Sequence, residues 1–404
     1  MTQAPQKSRG LAKPLQGLRV VEFTHMVMGP TTGLILADLG ADVIKVEPIN
    51  GDSTRHLKGS GAGYFPMYNR NKRSIRLDLK TDEGLGVADR LIGSADIVIE
   101  NFRPGTMEKL GLGYESLAKK YPRLIYCSLK GFLSGPYENR VALDEVVQMM
   151  GGLAYMTGLP DKPMRAGSSV IDITGGMFGV IGILAAVEER HHSGSGKYVT
   201  SALFETTAFL VGQHMAQERV SGEAPPPMSV RRSAWAIYDV FTIKNDEKLF
   251  VGIVSDALWQ RFCKEFALVE WAADETLACN PGRVEAREWL LPAVSDLFAQ
   301  FDKATLSMRL ERAGLPFAPI NRPSDLFEDE HLKHGNGLLP VTLTDGPASG
   351  TKASLPALPL EFDQERTGLY RDLPESGADV ESILCELGFS AEEYAKLRAN
   401  RAVA

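Results

Sequence analysis

Regular alternation of apolar strand-like runs with helical ones restricts the fold of this chain more than any other feature. "LRVVEF" (18–23) reads as a buried strand, "GPTTGLILADLG" (29–40) as a turn and a helix closed by glycine, and "ADVIKVEP" (41–48) as a second strand stopped by Pro48. Strand, helix and strand in that order make a parallel pair joined by a right-handed crossover. The pattern continues with the strand-like "SIRLDLK", the helical "TDEGLGVADRLIGSA" with Thr81 as its cap, the strand "DIVIENF", the helical "GTMEKLGLGYESLAKKY" and the strand "RLIYCSLKGF". The expected fold class is α/β, with a doubly wound, Rossmann-like parallel sheet.

Further along, "LDEVVQMMGGLAYMTG" and the run opened by "VIDITGGMFG" are helical, and "GKYVTSALFETTAFLVGQHMAQERV" is a short strand leading into a helix. "SGEAPPPMSVRRSAW" breaks every period and reads as a linker. After it, "YDVFTIKNDEKLFVGIV" looks like a hairpin turning at Asn245-Asp246, and helices bearing Trp259, Phe262 and Trp289 follow. At 404 residues the chain is longer than one core usually serves. We therefore expect a large α/β domain over 1–220, a smaller α+β domain with its linker over 221–330, and a segment over 331–404, with an amphipathic helix from Ala391 to Arg401, that returns to the large domain.

A net charge of -7 argues against a nucleic-acid binder, which needs a basic face. The four cysteines lie far apart with no C-x-x-C pair, so buried free thiols in a reducing compartment are expected, and no metal site. The N-terminal "MTQAPQKSRGLAKPLQG" lacks the apolar core of a signal peptide, and no charge-free apolar run is long enough to span a membrane. A cytoplasmic location with no membrane partner is the expectation.

In a doubly wound sheet, ligands collect where strand ends meet helix starts. The first such loop, "THMVMGPTTG", lacks G-x-G-x-x-G, which disfavours a dinucleotide; Gly29-Pro30 still opens a helix whose amides suit a phosphate, and His25 is either a base or structural. "NRNKRSIRLDLK" carries Arg70, Lys72, Arg73, Arg76 and Lys80, either a solvated face or a grip on a ligand with several phosphates. In "ENFRPGTMEKLG", Asn101 and Phe102 end a strand and suit a stacked base and its exocyclic group, or serve only a turn, with Lys109 following. Asp144 and Glu145 open one helix and Asp172 another; each reads first as an N-cap, with chemistry the alternative for Asp172. No G-x-S-x-G, H-E-x-x-H or C-x-x-C competes with it. Periodicity ends at an anion-binding α/β protein with an aspartate of open role.

"GLRVVEFTHMVMGPTTGLILADLGADVIKVEPINGDSTR", "NKRSIRLDLKT", "DIVIENFRPGTMEKLGLGYESL" and "SLKGFLSGPY", in that order, resemble the family III CoA-transferases, which include formyl-CoA and carnitine CoA-transferases. The likeness is dense from about Leu18 to Val220 and thins to stretches such as "GLPFAPINRPSDLFEDEHL". The resemblance implies that Asp172 is the catalytic carboxylate. It would attack an acyl-CoA thioester to give a mixed anhydride and CoA thiolate, the thiolate would return to form an aspartyl-CoA thioester, and an incoming acid would reverse the steps. A helix N-terminus would keep that nucleophile ionised and stabilise the oxyanion. By the same carry-over, His25, Met26, Val27, Leu77, Lys80, Asn101, Phe102 and Lys109 are CoA contacts. CoA is then substrate and product, no cofactor is permanently held, and two subunits interlock as a homodimer.

Three departures stand against the family pattern. "SVRRSAWAIYDVF" replaces the glycine-rich loop that closes over the site in formyl-CoA transferase, Pro48 replaces an arginine, and Val141 replaces a lysine. An α-methylacyl-CoA racemase resembles the chain almost as well, but Leu143 stands where racemases carry one of their two bases. A non-catalytic CoA-binding protein is the third reading. Arg165, Arg231 and Arg232 suit a second substrate carboxylate, as in succinate, glutarate, itaconate or mesaconate, or are plain surface arginines.

Overall fold

The computed structural model describes residues 12–230 and 233–404, so Arg231 and Arg232 lie outside the described residues. The chain divides into two compact units, one made of the residues up to Ser229 together with Glu330–Ala404, the other of Val230–Asp329.

In the first unit the chain runs β1 (Arg19–Phe23), α1 (Met28–Asp38), β2 (Asp42–Pro48), α2 (Tyr64–Tyr68), β3 (Lys72–Leu77), α3 (Asp82–Gly93), β4 (Ile97–Glu100), α4 (Thr106–Lys109), α5 (Tyr114–Lys120) and β5 (Ile125–Lys130). It continues through α6 (Asp144–Met150), α7 (Leu153–Thr157), α8 (Val170–Ser193), β6 (Tyr198–Ala202) and α9 (Leu203–Ser221). Six strands form one sheet in the order β3-β2-β1-β4-β5-β6, every pair parallel. Side chains alternate across it: Val21, Ile44 and Val98 pack on one face with Leu91 of α3, while Val20, Val43 and Ile99 pack on the other with Leu36 of α1 and Ile183 of α8. The strand order reverses at β1, whose carboxyl end and that of β4 lead into diverging loops. Such a switch point opens a crevice.

The Gly-Gly pair after Asp172 belongs to packing. A Cβ on Gly176 would lie 2.8 Å from the carbonyl oxygen of Met28, and Thr32 Oγ1 donates to the Gly176 carbonyl at 3.1 Å. Backbones of α1 and α8 thus approach as closely as only glycine allows, which seats the head of α8 beside the loop after β1.

The basic run of β3 does not form an open anion site. Arg70 is fully buried against Asp38 (2.6 Å), and Lys72 against Glu22 (2.8 Å). Arg73 pairs with Glu386 (2.6 Å), and Arg76 Nε donates to the carbonyl of Ala404 (3.0 Å). Buried cations need such partners. Those of Arg70 and Lys72 come from α1 and β1, and those of Arg73 and Arg76 from the C-terminal segment, which covers β3, the edge strand, with Asp379 accepting the Ser74 amide and the Ala402 carbonyl that of Asp78. Of that cluster only Lys80 is exposed.

The second unit pairs β7 (Ile237–Thr242) with β8 (Lys248–Ile253) as an antiparallel hairpin whose turn residues Asn245 and Asp246 take φ of 67° and 58°. The helices α10 (Asp256–Glu265), α11 (Val269–Ala273), α12 (Asn280–Glu285), α13 (Arg287–Phe298) and α14 (Lys303–Arg312) follow, and β9 (Phe317–Pro319) joins β8. Trp259, Phe262, Leu290 and Phe298 centre its core. Back in the first unit come α15 (Glu330–Lys333), the antiparallel pair β10 (Leu338–Thr342) and β11 (Lys352–Pro356), and further on α16 (Val380–Glu386) and α17 (Ala391–Ala399), whose Leu397 enters the sheet's core. A buried guanidinium, Arg55, ties this return to the sheet by bonding Glu47 at 2.6 Å and Asp345 at 2.9 Å.

Candidate active site

At the switch point lies a cleft of about 630 Å³. Its walls are the loop after β1 (His25–Met28), the loop after β4 (Asn101–Pro104), the end of β5, the segment from Asn139 to Glu145, and Arg165, Ser169 and Asp172 at the start of α8.

The first wall is held by strained backbone. Met26 adopts φ of 64°, a left-handed conformation that non-glycine residues rarely take, and its amide donates to Thr54 Oγ1 at 3.2 Å. Asn101 clamps the neighbouring residue from both sides: its Oδ1 accepts the His25 amide at 3.0 Å and its Nδ2 donates to the His25 carbonyl at 2.9 Å. Asn101 therefore positions the first loop, and its amide is not free to read a base. The imidazole of His25 opens to the cleft on one side and lies 5.9 Å from the Phe102 ring; crowding by protein on its other side holds its pKa below the usual value, with Asp52 opposing and Lys45 assisting.

Asp172 is the third residue of α8, not its N-cap, which is Ser169. Its carboxylate accepts no hydrogen bond from the described residues, although Ile171 and Asp172 both present amides nearby. Those amides are taken by another carboxylate: Asp144 Oδ2 accepts from Ile171 at 2.9 Å and from Asp172 at 3.1 Å. Asp144 thus caps α8 across 28 residues and leaves its own helix with no side-chain cap. Burial, and then the Asp144 charge, push the Asp172 carboxyl up to about 7, with Arg165 opposing. The expectation that a helix N-terminus keeps Asp172 ionised is therefore corrected, because Asp144 competes for the amides that would do it. The charges of Asp172 and Asp144 also add to burial in raising the Tyr68 phenol to about 12, which puts Tyr68 in the same field.

Of the residues expected at the site, His25, Met26, Val27, Asn101, Phe102 and Asp172 all line this cleft. Leu77 does not: its side chain is 1% exposed in the sheet core, where its backbone bridges to Val403. Lys80, in the turn after β3, and Lys109, ending α4, are exposed cations outside the cleft wall. Arg165 lines the cleft but is engaged, lying 3.5 Å from Asp144 and 3.7 Å from Glu145 and donating to the carbonyls of Ala166 and Ser168. Sequence reading passed over Arg103, Tyr64 and Arg140. The last stacks over the Tyr137 ring at 4.9 Å, with no carboxylate in ion-pair range among the described residues. Its signal was present in "GPYENRVALDE", where an arginine stands four residues before Asp144.

Comparison with known proteins gives the family. Residues 15–380 match CoA-transferase family III. The chain is 33% identical over 403 residues to a succinate–glutarate CoA-transferase of Agrobacterium fabrum, covering 96% of this chain and 98% of that one. It is 33% identical over 364 residues to a succinyl-CoA:mesaconate CoA-transferase of Haloarcula hispanica, covering 87% and 90%. The crystal structure of a CaiB/BaiF family protein from Brucella suis matches with a TM-score of 0.80 and 34% identity, over 93% of this chain and all of that one. A sheet whose switch point presents an aspartate on a helix head, and a match that spans nearly the whole sequence, lead to one conclusion: the chain belongs to the family III CoA-transferases.

Proposed function

We propose that this CoA-transferase moves CoA between a dicarboxylyl-CoA, such as succinyl-CoA, and a free carboxylic acid, with Asp172 as the nucleophile. The observation that carries the reading is an aspartate carboxylate in the cleft that caps no helix and is starved of hydrogen-bond donors. Such a group gains by acylation what it lacks in solvation. Its oxygen attacks the thioester carbonyl and expels CoA thiolate, leaving an acyl-aspartyl anhydride. The thiolate then attacks the aspartyl carbonyl, releases the donor acid and leaves CoA on Asp172. The acceptor carboxylate attacks that thioester, and the returning thiolate takes the acyl group and restores the carboxylate. Every step exchanges one acyl oxygen or sulfur for another, so no redox partner is needed.

The loop after β1, with His25, Met26 and Val27, and the Asn101-Phe102 corner form the CoA side in this reading; Lys80 and Lys109 are exposed cations for its outer, phosphate-bearing part. Relatives named for succinate, glutarate and mesaconate support a dicarboxylic acid, as does Arg140 on the cleft wall, which stacks on Tyr137 and has no carboxylate in ion-pair range among the described residues. An acceptor screen with succinyl-CoA tests it: transfer to glutarate or mesaconate well above transfer to formate is expected, and the reverse order defeats the dicarboxylate assignment. The racemase reading lacks its second base, since Leu143, 63% exposed at the cleft, carries no ionisable group. A racemase would exchange the α-proton of a 2-methylacyl-CoA with deuterated water in the absence of an acceptor acid.

We also propose a homodimer. Phe178 and Ile181 of α8 and Phe209 and Met215 of α9 are exposed, Phe209 at 71%, and a dimer would cover them. α8 has the length and apolar composition of a membrane span, yet it packs on α1, β5 and β6 and carries Asp172, which fits a core and interface helix. All four cysteines are free, Cys127 and Cys263 buried as expected but Cys279 and Cys385 exposed because they sit on solvent-facing positions, and unpaired thiols fit a reducing, cytoplasmic location.

A further inference from the structure

We propose that Asp144 is a positioning residue for the nucleophile: it anchors the head of α8 to α6, aims the Asp172 side chain into the cleft, and withholds the amides that would otherwise solvate it. The inference rests on Asp172 acting as the nucleophile.

Three observations carry it. First, one carboxylate holds both elements, for Oδ2 accepts the amides of Ile171 and Asp172 while Oδ1 accepts Gln148 Nε2 at 2.6 Å. Second, Gln148 passes the tie on, its Oε1 accepting the Ala166 amide at 2.9 Å, so the loop leading into α8 is fastened to the same face of α6. Third, neither helix is capped from within: the N-cap residues Leu143 of α6 and Ser169 of α8 make no side-chain bond to a first-turn amide. A free helix head offers amides to the nearest anion. Here they are already occupied, and the carboxylate one turn in, Asp172, is left as the unsatisfied acid.

The charged and titratable groups facing Asp172 are Asp144 on α6, Arg165 in the preceding loop, which also engages Glu145, and the Tyr68 phenol on α2. Of these only Arg165 favours the ionised form, and it is shared with Asp144 and Glu145. A poorly solvated carboxylate is the more basic and the more nucleophilic one.

The test compares Asp144→Asn, which keeps an acceptor oxygen for the amides but removes the charge, with Asp144→Ala, which removes both. Wild-type kcat/KM for succinyl-CoA and glutarate should fall on the acid side of about pH 7. For Asp144→Asn that limb should move down by about one unit, and kcat at high pH should stay within about tenfold. For Asp144→Ala kcat should drop by about a hundredfold with KM for the thioester nearly constant, as for a misaimed group. An Asp144→Asn profile with its limb unmoved overturns the proposal, as does an Asp144→Ala enzyme with unchanged kcat. Should Asp144→Ala not fold, the Asp144→Asn profile decides alone. Asp172→Ala separates the two readings: surviving turnover removes the nucleophile itself, whereas a dead Asp172→Ala beside an unmoved Asp144→Asn limb removes only this inference.

Discussion

Asp172 illustrates how a residue can be legible in identity and illegible in state. Its place at the start of an apolar, helix-spaced run could be read from "VIDITGGMFG", but a cap and a nucleophile look alike in sequence. What separates them is a second carboxylate 28 residues earlier, Asp144, which takes the cap role at the head of α8. Local pattern cannot report that contact. Its cost should be measurable. Below about pH 4 the Asp172 carboxyl is protonated in folded and unfolded chains alike, and above about pH 7 it is ionised in both, so folded-state stability falls as pH rises through that window. Asp172→Asn is therefore expected to abolish turnover yet raise the melting temperature at pH 8 and not at pH 4. The open side of the cleft screens the charge, which holds the gain to about 1–2 kcal/mol. Equal melting temperatures of the two proteins at pH 8 would contradict the burial argument. At the opposite wall, Arg140→Ala is expected to raise KM for a dicarboxylic acceptor by about tenfold, with little change for a monocarboxylic one; parallel changes for both would take the arginine out of acceptor recognition.

At the level of elements, periodicity carried the strands and helices of the sheet with little error, because each buries a face and so shows a period of two or 3.6. Thr81 caps α3 as its sequence suggests, accepting the Gly84 amide at 3.1 Å, and the hairpin turns at Asn245-Asp246. Charge patterning failed instead. Arg70, Lys72, Arg73 and Arg76 read as either a solvated face or a ligand grip and are neither, because their partners Asp38, Glu22, Glu386 and the Ala404 carbonyl are remote in sequence and invisible to a local window. The Asn101-Phe102 corner was legible as a site, while the job of Asn101, bracing His25, was not. The contact of α1 with α8 is where an element-scale prediction belongs. Gly176→Ala places a Cβ 2.8 Å from the Met28 carbonyl oxygen, which no side-chain rotation relieves. A loss of about 2 kcal/mol, read by denaturant midpoint, and reduced turnover from a displaced α8 head are expected; an unchanged midpoint would mean the two helices are free to separate.

On the scale of the molecule, the sheet-bearing unit and the smaller hairpin-and-helix unit divide between Ser229 and Val230, just past the three prolines that interrupt every period. The return of residues 330–404 to the first unit has a physical reason: β3 is an edge strand, and the C-terminal segment satisfies its amides and pairs the half-buried Arg73 and Arg76. Assembly is the least legible level, since the pattern that makes α8 and α9 helices is the same whether the exposed apolar residues Phe178, Ile181, Phe209 and Met215 meet solvent or the second copy proposed above. If a second copy covers them, Phe209→Asp should convert the dimer to monomer in light scattering at micromolar concentration, because a carboxylate cannot be buried unpaired. A monomeric wild-type protein would remove the dimer from the account.

The central claim is that an aspartate oxygen displaces sulfur and then itself carries CoA. Mass spectrometry of the protein after brief exposure to succinyl-CoA, with no acceptor acid, tests it most directly. The account predicts a protein heavier by one CoA less one water, the adduct mapping to the peptide that contains Asp172 and disappearing on addition of glutarate. Undiminished transfer by Asp172→Asn, or an adduct on any other residue, would contradict it.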